Sequence, residues 1–283
     1  MRCLLFCSAI FMSSTSVFAE TSLVATTTTD IQSLVSTLAP FLKVQSFTDA
    51  KQDPHHIDIK PSHVVVAQKA KLVVAIGLGY EEWLKKLKVD QKKIFLLGPL
   101  MNPETDPLLS HKNHPEGNPH LFLDPQRVAD VITPLSLKLI EVFPEQGMEI
   151  KKRAQEFQSQ LLKQLALWKT QLNPLKGKKV ITYHTTFYYF LKRFGIDTRA
   201  VLESHPGQAP SPQHLAAVLS MIKKENIDLF LIENIFSLKN LEKLKENHQQ
   251  LKILVLPTSV GTTPSLKDLP TLYQEIVDSL ASR

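Results

Sequence analysis

The stretch PEQGMEIKKRAQEFQSQLLKQLALWKTQLNP, residues 144–174, decides how the chain is organised. Apolar side chains recur along it at steps of three and four, which places them on one face of a single α-helix. This apolar stripe consists of Ile150, Ala154, Phe157, Leu161, Leu165, Trp168 and Leu172. Pro144 and Pro174 bracket a helix on the order of 35 Å long, at about 1.5 Å per residue. The pattern therefore predicts one helix over residues 145–172 that spans a whole domain.

Short β-like runs alternate with amphipathic helical stretches on both sides of this helix. The strand candidates before it are SLVATT, VQSF, KLVVAIG and KIFLLG, and the helix candidates there include PSHVVVAQKA and YEEWLKKL. The strand candidates after it are KVITY, TRAVL, DLFLI and KILVL. This order is typical of parallel sheets with helices on both faces. We therefore predict an α/β protein with an N-terminal lobe (20–143), a long rigid linking helix (144–173) and a C-terminal lobe (174–283).

The first residues, MRCLLFCSAIFMSSTSVFAE, have the pattern of an export signal. Arg2 precedes an apolar run that ends at Met12, and small polar residues follow, which predicts a signal peptide over 1–19 that is cut after Ala19. Phe6 precedes Cys7 where a lipoprotein signal needs a small residue, so no lipid anchor is expected. The chain's two cysteines lie in this segment, so a mature, periplasmic protein would have no disulfide and no thiolate metal ligand.

The charge distribution argues against a nucleic-acid partner. The 33 lysines and arginines exceed the 27 acidic residues, which gives a formal net charge of +6. However, the lysines have acids between them in stretches such as KKENIDLF and LEKLKENHQQLK, as on solvated helix faces. A basic run interleaved with aromatic residues, which would indicate nucleic-acid binding, is not found.

Three histidines each follow a predicted strand: His55 in KQDPHHIDIKPS, His120 in GNPHLFLDP and His184 in VITYHTTF. Ligands of open parallel sheets bind beyond the carboxyl ends of the strands, so these side chains can converge between the lobes. A lone histidine is usually a structural residue, but three at the same topological position favour a metal site. Their separations, 65 and 64 residues, are far too long for a zinc finger.

Several stretches resemble the zinc/manganese-binding substrate receptors of bacterial ABC importers, the cluster A-I solute-binding proteins. These stretches are VATTTTDIQSLVSTLA, DPHHIDIKPS, VVAIGLGYEEWLKKL, GNPHLFLDPQRV, VITYHTTFYYFLKRFG, QAPSPQHLAAV and LVLPTSVG, in the family's order. The resemblance implies two α/β lobes joined by a rigid helix, with the metal between them. It also implies that His55, His120 and His184 are the metal ligands and that the partner is a membrane ABC permease. We further expect a monomer that binds its ion without catalysis.

The ligand set also predicts which metal is bound. Imidazole suits zinc, whereas carboxylates and water suit manganese. Receptors in the manganese branch of this family tend to have a glutamate as third ligand, where this chain has His184. We therefore expect zinc, with manganese or iron as alternatives.

Two features depart from the family's pattern. The family's fourth ligand is often an acid after the last strand, but the stretch LPTSVGTT places Thr258 near that position. We expect water or an anion as the fourth donor, with Glu233 and Glu203 as the protein alternatives. Glu233 is more simply explained as a buried carboxylate bonded to nearby backbone or to a cation.

The loop before GNPH is the second departure, because it offers only two histidines, His111 and His114. We interpret it as a solvated loop rather than a site that recruits zinc.

Alternatives to a zinc receptor remain open at this point. A zinc hydrolase could use the same histidines and a bound water, but the sequence contains no HExxH motif. A related receptor for haem or a siderophore would require a larger cleft. An adhesin role, attributed to members of this family, is a further alternative.

Overall fold

A computed structural model of the chain describes residues 23–108, 116–203, 208–241, 244, 248 and 250–283. The predicted signal peptide (1–19) and both His111 and His114 lie outside these residues. Within the described part of the chain, no helix has both the length and the apolar character needed to cross a membrane.

The N-terminal lobe contains a parallel four-stranded sheet. Its strands are β1 (Leu23–Thr26), β2 (Lys43–Ser46), β3 (Leu72–Ala75) and β4 (Ile94–Leu96). They lie in the order β2-β1-β3-β4. The helices of this lobe are α1 (Thr29–Leu38), α2 (Pro61–Lys69) and α3 (Pro125–Val142). Every residue of the central strands β1 and β3 is buried, as expected for a parallel sheet covered on both faces.

The C-terminal lobe repeats the same strand order. Its strands are β5 (Lys179–Thr182), β6 (Asp197–Val201), β7 (Leu229–Glu233) and β8 (Lys252–Leu256), arranged β6-β5-β7-β8. Its helices include α5 (Tyr188–Phe194), α6 (Pro212–Lys224) and α7 (Leu269–Ala281). All pairs in both sheets are parallel. The predicted α/β fold is therefore confirmed. The two sheets also have the same strand order, a similarity that is not visible in the sequence.

The linking helix α4 runs from Gly147 to Leu172. Its buried residues are the seven apolar residues of the predicted stripe. A 3-10 turn over Pro144–Gln146 precedes it, so the helix begins two residues later than predicted. The stripe packs against α1 and α3 of the first lobe and against α7 of the second.

The predicted helix in YEEWLKKL is a 3-10 helix over Glu82–Leu87. This segment is six residues long and has no side-chain hydrogen bond at its N-terminus. A segment so short gains little from helix propensity, so tertiary packing sets its geometry. Packing buries Trp83, Leu84 and Leu87 against the first lobe.

One hydrophobic core is continuous through both lobes. It includes Val24 of β1, Trp168 of α4, Phe187 before α5 and Tyr273 of α7. A shared core of this kind is close-packed and resists relative movement of the parts that it joins. The lobes are thus connected by a packed helix rather than by flexible strands alone.

We therefore expect metal binding to cause little relative movement of the lobes. Small-angle X-ray scattering profiles with and without zinc should overlap, because closure would require the α4 interface to repack. The apo and zinc-loaded protein should be compared at equal concentration, with excess chelator as the apo control. A decrease of more than about 1 Å in the radius of gyration would contradict the rigid-helix interpretation.

Candidate metal centre

The three predicted histidines come together between the lobes. Among the described residues, they are the one group of three or more His, Cys, Asp or Glu side chains placed to hold a metal ion. Each offers one ligand atom, and these atoms all lie within 4.8 Å of one another. His120 and His184 are buried, and His55 is half-buried. His55 therefore forms the side of the cluster nearest to solvent.

The spacing of the imidazoles suits a small tetrahedral ion. The Nε2 atoms of His55 and His120 are 3.3 Å apart. Two nitrogens bound to tetrahedral zinc at 2.0–2.1 Å are separated by about 3.3–3.4 Å. The observed distance thus equals the separation that a shared zinc ion would impose.

His120 is oriented by Asn118, two residues earlier in the GNPH motif. Asn118 Oδ1 accepts a hydrogen bond from the His120 backbone N–H at 2.9 Å and lies 2.7 Å from His120 Nδ1. Asn118 Nδ2 donates to the Thr185 carbonyl at 3.2 Å and to its hydroxyl at 2.8 Å. A carbonyl only accepts, so these bonds fix the amide with its oxygen towards His120. Nδ1 must then carry the proton, which leaves the Nε2 lone pair available to a metal.

His184 is oriented by a carboxylate from the neighbouring strand end. Its Nδ1 lies 2.7 Å from Glu203 Oε2, and both side chains are buried. Burial acts to lower the pKa of His184, but the contact with Glu203 and the charge of Glu233 outweigh it and raise the pKa above its ordinary value. A carboxylate on one ring nitrogen holds the other towards a metal and makes it a stronger donor.

His55 lies in an irregular segment that is nevertheless anchored. Its backbone N–H donates to Asp53 Oδ1 at 2.9 Å. The Trp83 indole N–H donates to the Pro54 carbonyl at 2.8 Å. The Tyr80 ring packs edge-on against His55, with the ring centroids 4.5 Å apart. These contacts fix the imidazole without any regular secondary structure.

Two glutamates and Thr258 line the same cavity as the histidines. Neither Glu203 nor Glu233 joins the group of three mutually close ligand atoms. Glu233 is fully buried, and burial raises its pKa to about 7, against the opposing effect of His184. Neither carboxylate oxygen of Glu233 accepts a hydrogen bond of ordinary geometry from a described residue. The expected burial of Glu233 is thus observed, and of the expected bonding only weak interactions with its own backbone N–H and with the Thr186 hydroxyl are present.

The cavity is small and acidic. Its volume is about 50 Å³, and its lining includes Asp30, Asp53, Glu203 and Glu233 but no lysine or arginine among the described residues. Acidic lining favours a cation. A cavity of this size holds an ion with a few waters, whereas pockets for organic ligands measure about 300–1,000 Å³. This size argues against a haem or a siderophore.

The fold and the site define a two-lobed solute-binding protein with a histidine cluster between its lobes. The chain matches the family described as "Zinc-uptake complex component A periplasmic" over residues 24–283, and it belongs to that family. Its members are transport receptors rather than enzymes, so the hydrolase alternative has no support.

Individual relatives agree with this assignment. The chain is 32% identical over 193 residues to a "Putative metal-binding protein" of Thermotoga maritima, an alignment that covers 61% of this chain and 68% of the relative. It is 24% identical over 186 residues to the "Manganese-binding lipoprotein MntA" of Halalkalibacterium halodurans, covering 64% of this chain and 60% of the relative. A solved structure titled "Crystal structure of ZnuA" has the same fold, with a TM-score of 0.78, 22% identity and coverage of 92% of this chain and 98% of that one.

Proposed function

We propose that this protein is an extracytoplasmic receptor that captures zinc between its lobes and delivers it to a membrane ABC permease. His55, His120 and His184 are the proposed ligands. The observation that carries the proposal is the convergence of three imidazoles, two of them 3.3 Å apart, in an acidic cavity. The family's description as a zinc-uptake component supports zinc as the ion and a transport complex as the destination.

Zinc fits the donor set better than manganese does. Three imidazoles and one further donor make a common tetrahedral zinc arrangement. Manganese prefers oxygen donors in octahedral geometry, and it binds nitrogen sites more weakly than zinc does. Manganese stays the second candidate because the relative MntA is described as manganese-binding.

The proposal also covers the export of the protein and the boundaries of its lobes. The family is described as periplasmic, which supports the signal peptide predicted over 1–19 and its cleavage after Ala19. We also propose lobe boundaries at 143/144 and 173/174, which the position of α4 supports, and a monomeric protein. In this proposal the zinc ion is cargo, and it is bound and released without chemical change.

Calorimetric titration tests the proposed function. We expect one tightly bound zinc ion per chain and an affinity for manganese at least about 100-fold lower, because imidazole donors follow the order Mn²⁺ < Zn²⁺. Zinc-loaded protein should not turn over generic ester or peptide substrates. Equal affinity for both metals, or a stoichiometry other than one, would contradict the proposal.

The affinity for zinc should decrease as the pH falls. Zinc binds neutral imidazole, so protons compete with it once the pH approaches the pKa of the ligands, about 6.5 for an ordinary histidine. The raised pKa of His184 moves the start of this competition to higher pH. We expect at least about tenfold weaker binding at pH 5.5 than at pH 7.5, in titrations at constant ionic strength. Equal affinity at the two pH values would count against histidine ligation.

A further inference from the structure

Glu233 ends the strand β7, the neighbour of β5 and β8 in the sheet of the second lobe. The side chain is 0% exposed, and it lines the cavity that also holds the three histidines. The negative charge of Glu233 acts on His184 and helps to raise the pKa of that histidine. Glu233 is therefore a deeply buried acid at the back of the proposed metal site.

The two carboxylate oxygens of Glu233 lack protein donors of ordinary geometry. The backbone N–H of Glu233 itself and the Thr186 hydroxyl lie near enough to lower the pKa of Glu233, but neither oxygen accepts a well-formed hydrogen bond from a described residue. Buried polar atoms in native proteins almost always have a partner, which is a protein group, a water or an ion. The partner of Glu233 should therefore come from the contents of the cavity.

Glu81, a buried glutamate that does not line this cavity, has hydrogen-bond donors for both of its carboxylate oxygens. It is also buried, and burial raises its pKa to about 7. Its oxygens accept hydrogen bonds from the Thr27 hydroxyl at 2.6 Å and from the backbone N–H groups of Ile76 and Gly77, both at 2.9 Å. Burial alone therefore does not deprive a glutamate of hydrogen-bond donors in this fold. The lack of well-formed hydrogen bonds to Glu233 is specific to its position beside the cavity.

Tetrahedral zinc needs a fourth donor beside the three imidazoles, and it need not be a protein group. No carboxylate oxygen of the described residues lies with the three histidine nitrogens as a common ligand group. A zinc-bound water would supply O–H donors to an acceptor in the cavity, and the cavity has room for it. We propose that Glu233 accepts a hydrogen bond from a water that completes the zinc coordination, and that it does not bind the metal directly. This inference rests on the proposed function.

Glu233 also influences which donors can occupy the fourth coordination position. A divalent cation bound nearby favours the ionised form of Glu233, and the negative charge of that form disfavours a further anion at the fourth position. Glu233 is thus a positioning residue that keeps an exchangeable, neutral donor on the ion. An exchangeable fourth ligand also leaves one coordination position through which the ion can be transferred.

The test replaces Glu233 by glutamine in the full chain and uses Co²⁺ in place of zinc, because its visible absorption reports coordination. We expect Glu233→Gln to retain a four-coordinate Co²⁺ spectrum and to lose about tenfold in zinc affinity, as is usual for groups that orient metal ligands. Titration with azide, an anionic ligand, should show at least about tenfold tighter binding to Glu233→Gln than to the wild type, because a buried negative charge has been removed. Glu81→Gln, the matched buried control, should leave the azide affinity unchanged.

Two results would overturn the inference. Loss of zinc binding as severe as in His120→Ala, with a changed coordination number, would make Glu233 a direct ligand. Wild-type affinities for both zinc and azide in Glu233→Gln would mean that Glu233 does not face the ion. If that variant fails to fold, Glu233→Asp replaces it: the shorter side chain should lower zinc affinity while azide affinity stays low, and unchanged zinc affinity would overturn the inference. Failure of the proposed function itself would appear separately, as absent zinc binding in the wild type.

Discussion

Replacing His120 by alanine should lower the affinity for zinc by at least about 100-fold, since even groups that only orient a ligand contribute 10- to 100-fold. The substitution removes one of three imidazoles whose nitrogens lie within 4.8 Å of one another. It also leaves the Asn118 amide oxygen without the His120 ring that it contacts at 2.7 Å. Competition with a chromophoric zinc chelator would measure the change.

His56→Ala is the matched control for this substitution. His56 is adjacent to His55 but exposed, and its Nδ1 lies 3.3 Å from Asp53 Oδ2 rather than in the metal cluster. Its removal should change the zinc affinity by less than about twofold, as expected for a surface residue. Zinc binding by His120→Ala at wild-type strength would contradict the assignment of the site.

Replacing Trp168 by alanine should lower the free energy of unfolding by about 3–5 kcal/mol. Trp168 is 1% exposed in the core that both lobes share. Its ring packs edge-on against Tyr273, with the centroids 5.6 Å apart, and its indole N–H donates to Gln274 Oε1 at 2.8 Å. The substitution would leave a cavity between α4 and α7 and an amide without its donor. Denaturant unfolding of the metal-free protein would measure the loss.

Leu167→Ala provides the comparison on the same helix. Leu167 is 62% exposed and does not belong to the buried stripe. Its replacement should change the unfolding free energy by no more than about 0.5 kcal/mol, as for most surface substitutions. Similar losses in the two variants would contradict the role of the stripe in joining the lobes.

The fold was largely predictable because its main signals are local. The stripe on α4 has the helical period, and all seven of its residues are buried. The apolar runs of β1, β3 and β7 likewise mark strands that are covered on both faces. The segment Glu82–Leu87 was predicted as a regular helix but is a 3-10 helix, because packing rather than periodicity decides the geometry of so short a segment.

Of the candidate site, only the convergence of the three histidines was predictable from the sequence. Histidines that follow parallel strands can be expected to meet at the same edge, whatever their separation in sequence. The groups that orient them give a weaker signal. Asn118 acts two residues before His120, a spacing that is visible in the motif, but its anchor Thr185 lies 67 residues away. The contact between His184 and Glu203 and the lack of well-formed hydrogen bonds to Glu233 depend on how strand ends meet in three dimensions.

The most direct test of the central claim is an anomalous difference map from crystals grown with zinc, with data collected at the zinc absorption edge. We expect one strong peak per chain, about 2.0–2.1 Å from a ring nitrogen of each of His55, His120 and His184. A second data set below the edge would identify the element, because the zinc signal should then nearly vanish. A peak outside the cluster, or a peak that contacts fewer than three of these histidines, would contradict the proposed metal centre.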